Sequence, residues 1–198
     1  MTIKTTGVVL PMDNIDTDQI VPARFLKLTS KKGYGKFLFY DWRYTPESKV
    51  IETFPLNQAK HATSKVLIAG NNFGCGSSRE HAAWAIADYG FKVIISTQIA
   101  DIHKENLYNN GVLPIELSKD DVQQLMTMVT KKPGARIEVD IASQCIQAED
   151  IGLYRTFEIS PFKKECLLSG VDTTQYLINL RPLITEFENT RDNKKNQV

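Results

Sequence analysis

Apolar residues are patterned most regularly between residues 65 and 130, where short apolar runs alternate with segments of helical period. The runs contain almost no polar position, which is typical of strands covered on both faces. In the segments between them, apolar residues recur about every 3.6 positions, which predicts amphipathic helices. The predicted strands are 66–69, 93–95 and 112–117, and the predicted helices are 79–89, 98–109 and 118–130. This alternation predicts an α/β layered fold whose central strands are parallel.

Capping residues mark the ends of several of these predicted elements. Gly90 follows the first helix, at the place where a left-handed C-cap is expected. Ser118 and Asp121 form a capping box at the start of the third helix. In the second helix, the spacing places Ile102 and His103 on the inward face, and His103 is expected to be a satisfied core histidine.

Outside this region the hydrophobic pattern is weaker. Further strands are predicted at 7–10, 136–141 and 154–159, the second of which alternates as a half-exposed strand does. Ser160 and Pro161 open a short helix, and Gly170 stands beyond its end.

Two segments have no clear period. A glycine-flanked aromatic segment, residues 33–44, must bury its rings either on the body of the domain or on a partner. Residues 189–197 lack any apolar side chain, which is typical of a frayed terminus. The prediction is therefore a single domain over residues 1–188, followed by a polar, disordered tail over residues 189–198.

The composition is that of an ordinary globular protein, with 42% hydrophobic and 24% charged residues among 198. The 24 Lys and Arg residues against 23 Asp and Glu leave no basic excess, so no nucleic-acid partner is expected. No apolar run reaches the roughly 18 residues that cross a bilayer, and the first apolar run is too short for a signal peptide. These features predict a cytoplasmic protein without a membrane partner.

The three cysteines, Cys75, Cys145 and Cys166, are widely scattered and include no Cys-x-x-Cys pair. This distribution excludes zinc-ribbon and ferredoxin spacings and predicts free thiols. No metal site is predicted in this chain. If an iron–sulfur cluster takes part in the chemistry, another chain must hold it.

The segment from Asn72 to His81 carries the strongest chemical signal. It follows a buried strand and opens a helix, which places it at the carboxyl end of a parallel sheet, where small-molecule sites collect. Gly74 and Gly76 permit close backbone approach, and the free amides and dipole of the helix start attract anions. Arg79 adds a planar donor suited to a carboxylate or a phosphate. The local physical chemistry therefore predicts anion binding.

Familiar anion and nucleophile motifs do not fit this segment. The dinucleotide fingerprint needs glycine where the chain has Arg79, and the phosphate-loop and nucleophile-elbow patterns also fail. A nucleophilic pair of Cys75 and His81 stays open. Ser77 and Glu80 fit a capping box, so Ser77 could serve only to cap the helix. Arg79 argues against a role in capping alone. A cation at a helix N-terminus is repelled by the positive end of the helix dipole and is unfavourable there unless an anion binds to it.

Residues 74–82, Gly-Cys-Gly-Ser-Ser-Arg-Glu-His-Ala, resemble the signature of the mobile swivel domain of the aconitase superfamily. Residues 100–107 and 111–115 resemble the next segments of that domain in the same order. Residues 13–26 and 39–44 narrow the resemblance to the small-subunit family of the 3-isopropylmalate dehydratases of leucine biosynthesis. The resemblance covers most of the chain and implies a three-layer β/β/α fold.

The resemblance implies a hydro-lyase subunit that is active only with a large subunit, in a heterodimer or a higher hetero-oligomer. In that family the large subunit holds a [4Fe-4S] cluster whose iron acts as a Lewis acid on the departing hydroxyl, and the small subunit binds no cofactor. The substrate is a small dicarboxylic hydroxy acid. The implied reaction converts 2-isopropylmalate to isopropylmaleate by loss of water, and isopropylmaleate to 3-isopropylmalate by its return.

The family's motif also implies roles for individual positions. Ser77 maps onto the catalytic base, which acts as an alkoxide and needs the helix start and Arg79 to favour its anion. Ser78 and Arg79 map onto binders of the substrate carboxylate. Arg43, in the aromatic segment, is expected to reach the second carboxylate or the loop that recognises the alkyl group. The residues expected to support this loop without direct chemistry are Gly74, Gly76, Glu80 and His81.

Two alternatives stay open at this point. The chain could be the small subunit of a homoaconitase- or citraconate-type hydro-lyase, which a comparison of turnover on the different acids would separate. It could also be a non-catalytic domain that uses the Ser-Ser-Arg loop only as an anion pocket. A stable complex with an iron–sulfur protein, together with leucine-pathway activity, would exclude the second alternative.

Overall fold

Two four-stranded sheets frame the computed structural model, which describes residues 1–27 and 30–195. The parallel sheet contains β2 (Gly7–Leu10), β3 (Val66–Ala69), β4 (Val93–Ser96) and β5 (Leu113–Glu116), paired in that order. The antiparallel sheet contains β1 (Thr2–Thr5), β6 (Ile137–Asp140), β7 (Cys145–Ala148) and β8 (Leu153–Thr156), also paired in that order.

The parallel sheet is covered on both faces, which explains why its strands are apolar at nearly every position. One face packs on α3 (Glu80–Tyr89) and α4 (Asp101–Asn109). The other face packs on α5 (Lys119–Lys131) and on the antiparallel sheet. Helices, parallel sheet and antiparallel sheet therefore form three layers, which confirms the predicted α/β fold with parallel central strands.

The predicted C-cap of α3 at Gly90 and the predicted N-cap of α5 at Ser118 are confirmed. The full capping box predicted for α5 does not form, because the Asp121 carboxylate accepts from the Ser118 hydroxyl and not from the Ser118 N–H. Gly90 follows α3 with a φ of +115°, in the left-handed region that glycine adopts freely. At the start of α5, the Asp121 N–H donates to Ser118 Oγ at 3.2 Å, and Ser118 Oγ donates to the Asp121 carboxylate at 2.7 Å. Capping residues in this sequence therefore locate helix ends to within a residue or two.

The second predicted helix is shorter than its periodicity suggests, because α4 begins at Asp101 instead of residue 98. His103 and Leu107 are buried, as predicted, but Ile102 is 59% exposed, so its predicted inward position is wrong. On a helix, residues four positions apart share a face, whereas the residue next to His103 lies about 100° away. The buried face of α4 is therefore the stripe through His103 and Leu107.

The remaining elements are shorter or lie toward the C-terminus. The other helices are α1 (Thr17–Ile20), α2 (Tyr40–Arg43), α6 (Pro161–Ser169), α7 (Thr173–Asn179) and α8 (Arg181–Lys195). Short 3-10 turns occur at Ala23–Phe25, Tyr34–Phe37, Pro55–Asn57, Ala59–His61 and Glu149–Ile151. Helix α6 confirms the predicted start at Ser160, whose Oγ accepts from the Lys163 N–H at 3.3 Å, and the left-handed Gly170 after its end.

The predicted tail overlaps the end of the last helix. Residues 189–195 continue α8, and residues 196–198 lie outside the described part of the chain. The domain boundary at residue 188 therefore stays a prediction.

The aromatic segment, residues 33–44, folds back onto the helical layer of its own chain. Tyr34 and Phe39 are almost completely buried. The Gly35 N–H donates to Asp88 Oδ2 at 2.7 Å, and a Cβ atom at Gly35 would collide with the backbone of Tyr89. This close approach of two backbones at Gly35 holds the segment against the end of α3.

Candidate active site

The loop between β3 and α3, residues 70–79, leaves the carboxyl edge of the parallel sheet as the sequence predicts. Two of its glycines have left-handed backbones, with φ of +73° at Gly74 and +87° at Gly76. A side chain at such angles crowds the following carbonyl, so these positions favour glycine. At Gly74 a Cβ atom would also collide with the ring of His103. The loop therefore turns tightly over α4 before α3 begins.

A second segment, which ends at Thr17, runs alongside this loop and is hydrogen-bonded to it. The Gly74 N–H donates to the Ile15 carbonyl at 2.7 Å, and the Thr17 N–H donates to the Cys75 carbonyl at 2.9 Å. Thr17 Oγ1 donates to the Ser77 carbonyl at 2.8 Å. These hydrogen bonds from the segment that ends at Thr17 fix the path of the loop as far as Ser77.

A cavity of about 280 Å³ opens beside this loop, between the starts of α3 and α4. Ser77 and Ser78 are exposed, and Arg79 is half-buried. The cavity is lined by Thr17, Gly74, Gly76, Ser77, Ser78 and Arg79 on the loop side and by residues 100–103 and Asn106 on the side of α4. The structure therefore brings together five of the predicted site residues, namely the two glycines, the two serines and the arginine.

The start of α3 has no side-chain cap. Its N-cap residue is Arg79, with φ of −124° and ψ of 108°, and no side chain accepts a hydrogen bond from the first turn at that position. The capping box of Ser77 and Glu80, which the sequence allowed, is therefore absent. Ser77 therefore does not cap the helix. It lines the cavity next to a helix start that has no side-chain cap.

Arg79 pairs with an acid of its own chain. Its Nη1 donates to Asp18 Oδ1, and the Arg79 side chain is 18% exposed whereas that of Asp18 is 52% exposed. The sequence argument expected an incoming anion to balance this cation, and the structure corrects it, because Asp18 already supplies a negative charge. The contact uses one nitrogen of the guanidinium, which carries five N–H donors in a fixed plane. A carboxylate in the cavity can therefore bind the same group beside Asp18.

Glu80 and His81 lie away from the cavity. Glu80 Oε1 accepts from Trp84 Nε1 at 2.9 Å and from Lys31 Nζ at 3.4 Å, and the Trp84 hydrogen bond, followed by the Lys31 charge, lowers the pKa of the Glu80 carboxyl. The His81 ring packs against Trp84 and Tyr34, with centroid distances of 4.4 and 5.6 Å. Both side chains hold α3 against its neighbours, and neither lines the cavity.

Arg43 is not brought to the cavity. It is 9% exposed on α2, and its Nε donates to Asn57 Oδ1 at 3.0 Å. Its guanidinium also lies 5.0 Å from the Tyr89 ring centroid and 5.2 Å from that of Tyr44. These contacts fasten α2 to the adjacent loop and to α3. The expected contact between Arg43 and a substrate finds no support in this position.

His103 differs from the satisfied core histidine that the sequence predicts. It is 2% exposed, as expected, but neither ring nitrogen has a hydrogen-bond partner among the described residues. Burial lowers the pKa of His103 to about 4, so the ring is neutral at physiological pH. Its ring packs against Phe73, at 5.5 Å between centroids, and under Gly74. His103 thus forms an uncharged floor to the cavity.

The cysteines offer neither an activated nucleophile nor a metal site within the described residues. Burial, and next the charge of Asp16, raise the pKa of the Cys75 thiol, which is the opposite of what a thiolate nucleophile needs. All three cysteines are free. Across residues 1–27 and 30–195, no group of three or more His, Cys, Asp or Glu side chains is placed to hold a metal ion. The side chains present therefore do not fit an iron–sulfur cluster.

Two site residues were missed by the sequence reasoning, Thr17 and Asp18. Both lie in residues 13–26, the segment that narrows the family resemblance and for which the sequence predicts no contact with the site. Their partners, Ser77 and Arg79, are 60 and 61 positions away along the chain. Only the packing of the two loops reveals the pairing.

This chain is similar to several known proteins. A family model described as the aconitase C-terminal domain matches residues 1–120. The 3-isopropylmalate dehydratase small subunit of Christiangramia forsetii is 46% identical over 196 residues, which cover 99% of this chain and 95% of that protein. The protein of the same name from Karelsulcia muelleri is 48% identical over 188 residues, which cover 95% of each chain.

A solved structure is also similar. The crystal structure of a 3-isopropylmalate dehydratase from Methanocaldococcus jannaschii superposes with a TM-score of 0.68 at 29% sequence identity. The match covers 95% of this chain and 99% of that chain. Among the described residues, no helix is both long and apolar enough to cross a membrane.

Proposed function

This chain belongs to the family of 3-isopropylmalate dehydratase small subunits. We propose that residues lining its cavity bind the substrate carboxylate and take a proton from the substrate. The chain is a subunit of a dehydratase in leucine biosynthesis. The reaction removes water from 2-isopropylmalate to give isopropylmaleate and returns it to give 3-isopropylmalate. None of the relatives described above is named for homoaconitate or citraconate chemistry or as a binding domain, so those alternatives are not favoured.

The observation that carries the proposal is the position of Ser77, which is exposed and lines the cavity beside an uncapped helix start. In the dehydration direction, Ser77 Oγ acts as an alkoxide and takes a proton from the carbon next to the one that bears the hydroxyl. The electron pair of that C–H bond becomes the second bond of the double bond as the hydroxyl departs. In the hydration direction, Ser77 gives the proton to the carbon that had carried the hydroxyl, and the hydroxyl of water adds to the neighbouring carbon, which gives 3-isopropylmalate.

A serine hydroxyl is a poor base, so its surroundings must favour the anion. The free amides at the start of α3 and the positive end of its dipole lower the energy of a negative charge at Ser77. Arg79, two residues later, adds a guanidinium group on the same wall of the cavity, and Asp18 offsets part of its positive charge. These groups are fixed before the substrate arrives, so they need little reorganisation during proton transfer.

Ser78 and Arg79 bind the substrate carboxylate in this proposal. The Arg79 fork donates to the carboxylate with the nitrogens that Asp18 leaves available, and the Ser78 hydroxyl donates a further hydrogen bond. When the neighbouring carbon loses its proton, negative charge spreads onto this carboxylate. Arg79 then stabilises the transition state more than the ground state, which is the condition for an increase in rate.

The large subunit completes the site in this proposal. It holds the [4Fe-4S] cluster, which supplies the chemistry that activates the departing hydroxyl. The small-subunit name of the relatives supports such a complex, and the cysteines of this chain are scattered as free thiols. We therefore expect the isolated chain to be inactive. The cytoplasmic location that the sequence predicts stays part of the proposal.

The test is the Ser77→Ala variant in the complex reconstituted with the large subunit, with Ser169→Ala as a control at an exposed serine outside the cavity. We expect kcat to fall by about 10³-fold for Ser77→Ala, while KM changes by less than about threefold. The control should match the unmodified complex. Absorbance of isopropylmaleate follows the reaction. Turnover of Ser77→Ala close to that of the control would return Ser77 to a purely structural role.

A further inference from the structure

Thr17 is hydrogen-bonded to the loop of residues 70–79 at Cys75 and at Ser77. It is the first residue of α1 and is 2% exposed. Its N–H donates to the Cys75 carbonyl at 2.9 Å, and its Oγ1 donates to the Ser77 carbonyl at 2.8 Å. The two hydrogen bonds therefore hold the loop at the residues on either side of Gly76.

The helix that carries Thr17 is itself firmly anchored. The Gln19 N–H donates to Asp16 Oδ1 at 2.8 Å, and the Asp16 N–H donates to Gln19 Oε1 at 3.0 Å, which forms a complete capping box. Ile20, at the end of the helix, is fully buried, and its carbonyl accepts from the Phe39 N–H at 2.8 Å. Thr17 is thus a fixed point from which the loop can be positioned.

The loop needs such a fixed point at this place. Gly76 has a φ of +87°, and a Cβ atom there would meet nothing closer than 3.4 Å. Glycine can change its backbone angles at little cost, and its surroundings leave room for movement. Ser77 itself has no capping bond to hold it, because α3 is capped at Arg79 without a side-chain contact. The Thr17 hydroxyl therefore holds the Ser77 backbone at a place where Gly76 leaves it room to move.

We propose that Thr17 is a positioning residue for Ser77, whose hydroxyl fixes the Ser77 backbone so that Oγ points at the substrate carbon. The inference rests on the proposed role of Ser77 as the base. Thr17 transfers no proton and contacts no reacting atom. A displacement of Ser77 by about 1 Å would lower the rate of proton transfer by up to about 100-fold, because the reacting atoms must meet within a narrow range.

The experiment compares Thr17→Val, which keeps the shape and removes the hydroxyl, with Thr17→Ser, which keeps the hydroxyl. In the reconstituted complex we expect Thr17→Val to lower kcat by about 10- to 100-fold with KM changed by less than about threefold. Thr17→Ser should restore kcat to within about threefold of the unmodified complex. Thr17→Ala is measured alongside, so that the result does not depend on the fit of one side chain.

Thr5→Val is the matched control. Thr5, the last residue of β1, lies outside the cavity and is 5% exposed. Its Oγ1 accepts from the Lys65 N–H at 3.2 Å. It therefore loses a buried hydroxyl with a backbone contact, as Thr17→Val does. We expect the control to keep its kcat even if its unfolding midpoint falls. Equal kcat for Thr17→Val and Thr5→Val, or a Thr17→Ser variant as slow as Thr17→Val, would overturn the proposal.

The Ser77→Ala background separates this proposal from the proposed function. If Ser77 is the base and Thr17 acts through it, Thr17→Val should lower kcat no further in a Ser77→Ala complex. An additional loss of tenfold or more there would contradict a role through Ser77. If Ser77→Ala alone keeps full turnover, the proposed function fails. If Ser77→Ala is inactive and Thr17→Val is fully active, the role of Thr17 alone fails.

Discussion

A positive side chain at the start of a helix is an unfavourable arrangement, and Arg79 shows how this chain makes it usable. Asp18 faces Arg79 and balances its charge in the absence of substrate. The pair keeps the guanidinium beside the cavity without consuming all of its donors. The planar shape of the group is therefore as important as its charge, because one edge can hold Asp18 while another receives a carboxylate.

The variant Arg79→Lys tests whether the planar guanidinium is needed to bind Asp18 and the substrate carboxylate together. Lysine keeps the positive charge, but its ammonium is a point charge that cannot serve two carboxylates in one plane. We expect KM for 2-isopropylmalate to rise by about tenfold or more, equivalent to about 1.4 kcal/mol of binding. Steady-state kinetics of the reconstituted complex measure the effect. Arg24→Lys is the control, since Arg24 pairs with Asp41 on the exposed surface outside the cavity. An unchanged KM for Arg79→Lys would show that charge alone suffices.

His103 shapes the pH dependence of stability. Burial lowers its pKa to about 4 in the folded chain, compared with an ordinary value of 6.5. Between these two values the unfolded chain binds a proton that the folded chain does not, so stability falls as the pH is lowered through this window. A difference of this size corresponds to about 3 kcal/mol when the pH is at or below 4.

His103→Phe should remove this contribution, because phenylalanine keeps a ring of similar size under Gly74 and does not titrate. We expect the unfolding free energy of the unmodified chain to fall by about 3 kcal/mol more than that of the variant between about pH 7 and pH 4. Urea unfolding at several pH values measures the difference, and the subtraction removes the contribution of the carboxylates. Parallel pH profiles of the two proteins would contradict a buried, neutral His103.

At the scale of secondary structure, the sequence predicts the elements whose signal is local. The strands β3, β4 and β5 are continuous apolar runs, and α3 and α5 carry both periodicity and caps, so each can be located from its own residues. The sequence does not predict β1 or β7, because each of these four-residue strands contains a single large aliphatic residue, Ile3 in β1 and Ile146 in β7. β1 also depends on its pairing with β6, which lies more than 130 positions later in the chain. Its four residues alone do not encode that partner.

The same distinction holds for the candidate site. The loop from Gly74 to Arg79 can be recognised in the sequence from its glycines, serines and arginine, and the structure places it at the predicted sheet edge. The contacts of Thr17 and Asp18 with that loop, and the absence of a cap at Ser77, could not be predicted. They depend on how two loops from separate strands pack, which no local pattern records. The position of Arg43 could not be predicted for a similar reason, since its burial depends on Asn57 and Tyr89.

The loop geometry predicts a contrast between two glycines. In Gly74→Ala, the new Cβ atom would meet the His103 ring in addition to adopting a left-handed φ, whereas in Gly76→Ala only the φ is unfavourable. We expect Gly76→Ala to cost about 1 kcal/mol of unfolding free energy and Gly74→Ala about 2 kcal/mol more. Chemical denaturation of both variants measures the contrast. Equal losses would mean that the loop does not lie against α4 as described.

At the scale of the whole molecule, three layers hold a shallow cavity at one edge. The parallel sheet, buried on both faces, gives the loop after β3 a rigid base, and this loop and the first half of α4 form the two walls of the cavity. The cavity opens to solvent, so the chain presents Ser77 and Arg79 at a surface where a second subunit can close over the substrate. The central claim is that this half of the site binds the carboxylate with Arg79 and removes the proton with Ser77.

The most direct test of this claim separates binding from chemistry in one complex. 2-Isopropylmalate is titrated calorimetrically into the reconstituted Ser77→Ala complex, and isopropylmaleate is then measured in the same sample. The account predicts a dissociation constant within about threefold of the KM of the unmodified complex, together with a rate of isopropylmaleate formation lower by about 10³-fold. Formation of isopropylmaleate within about tenfold of the unmodified rate, or a failure to bind the substrate at all, would contradict it.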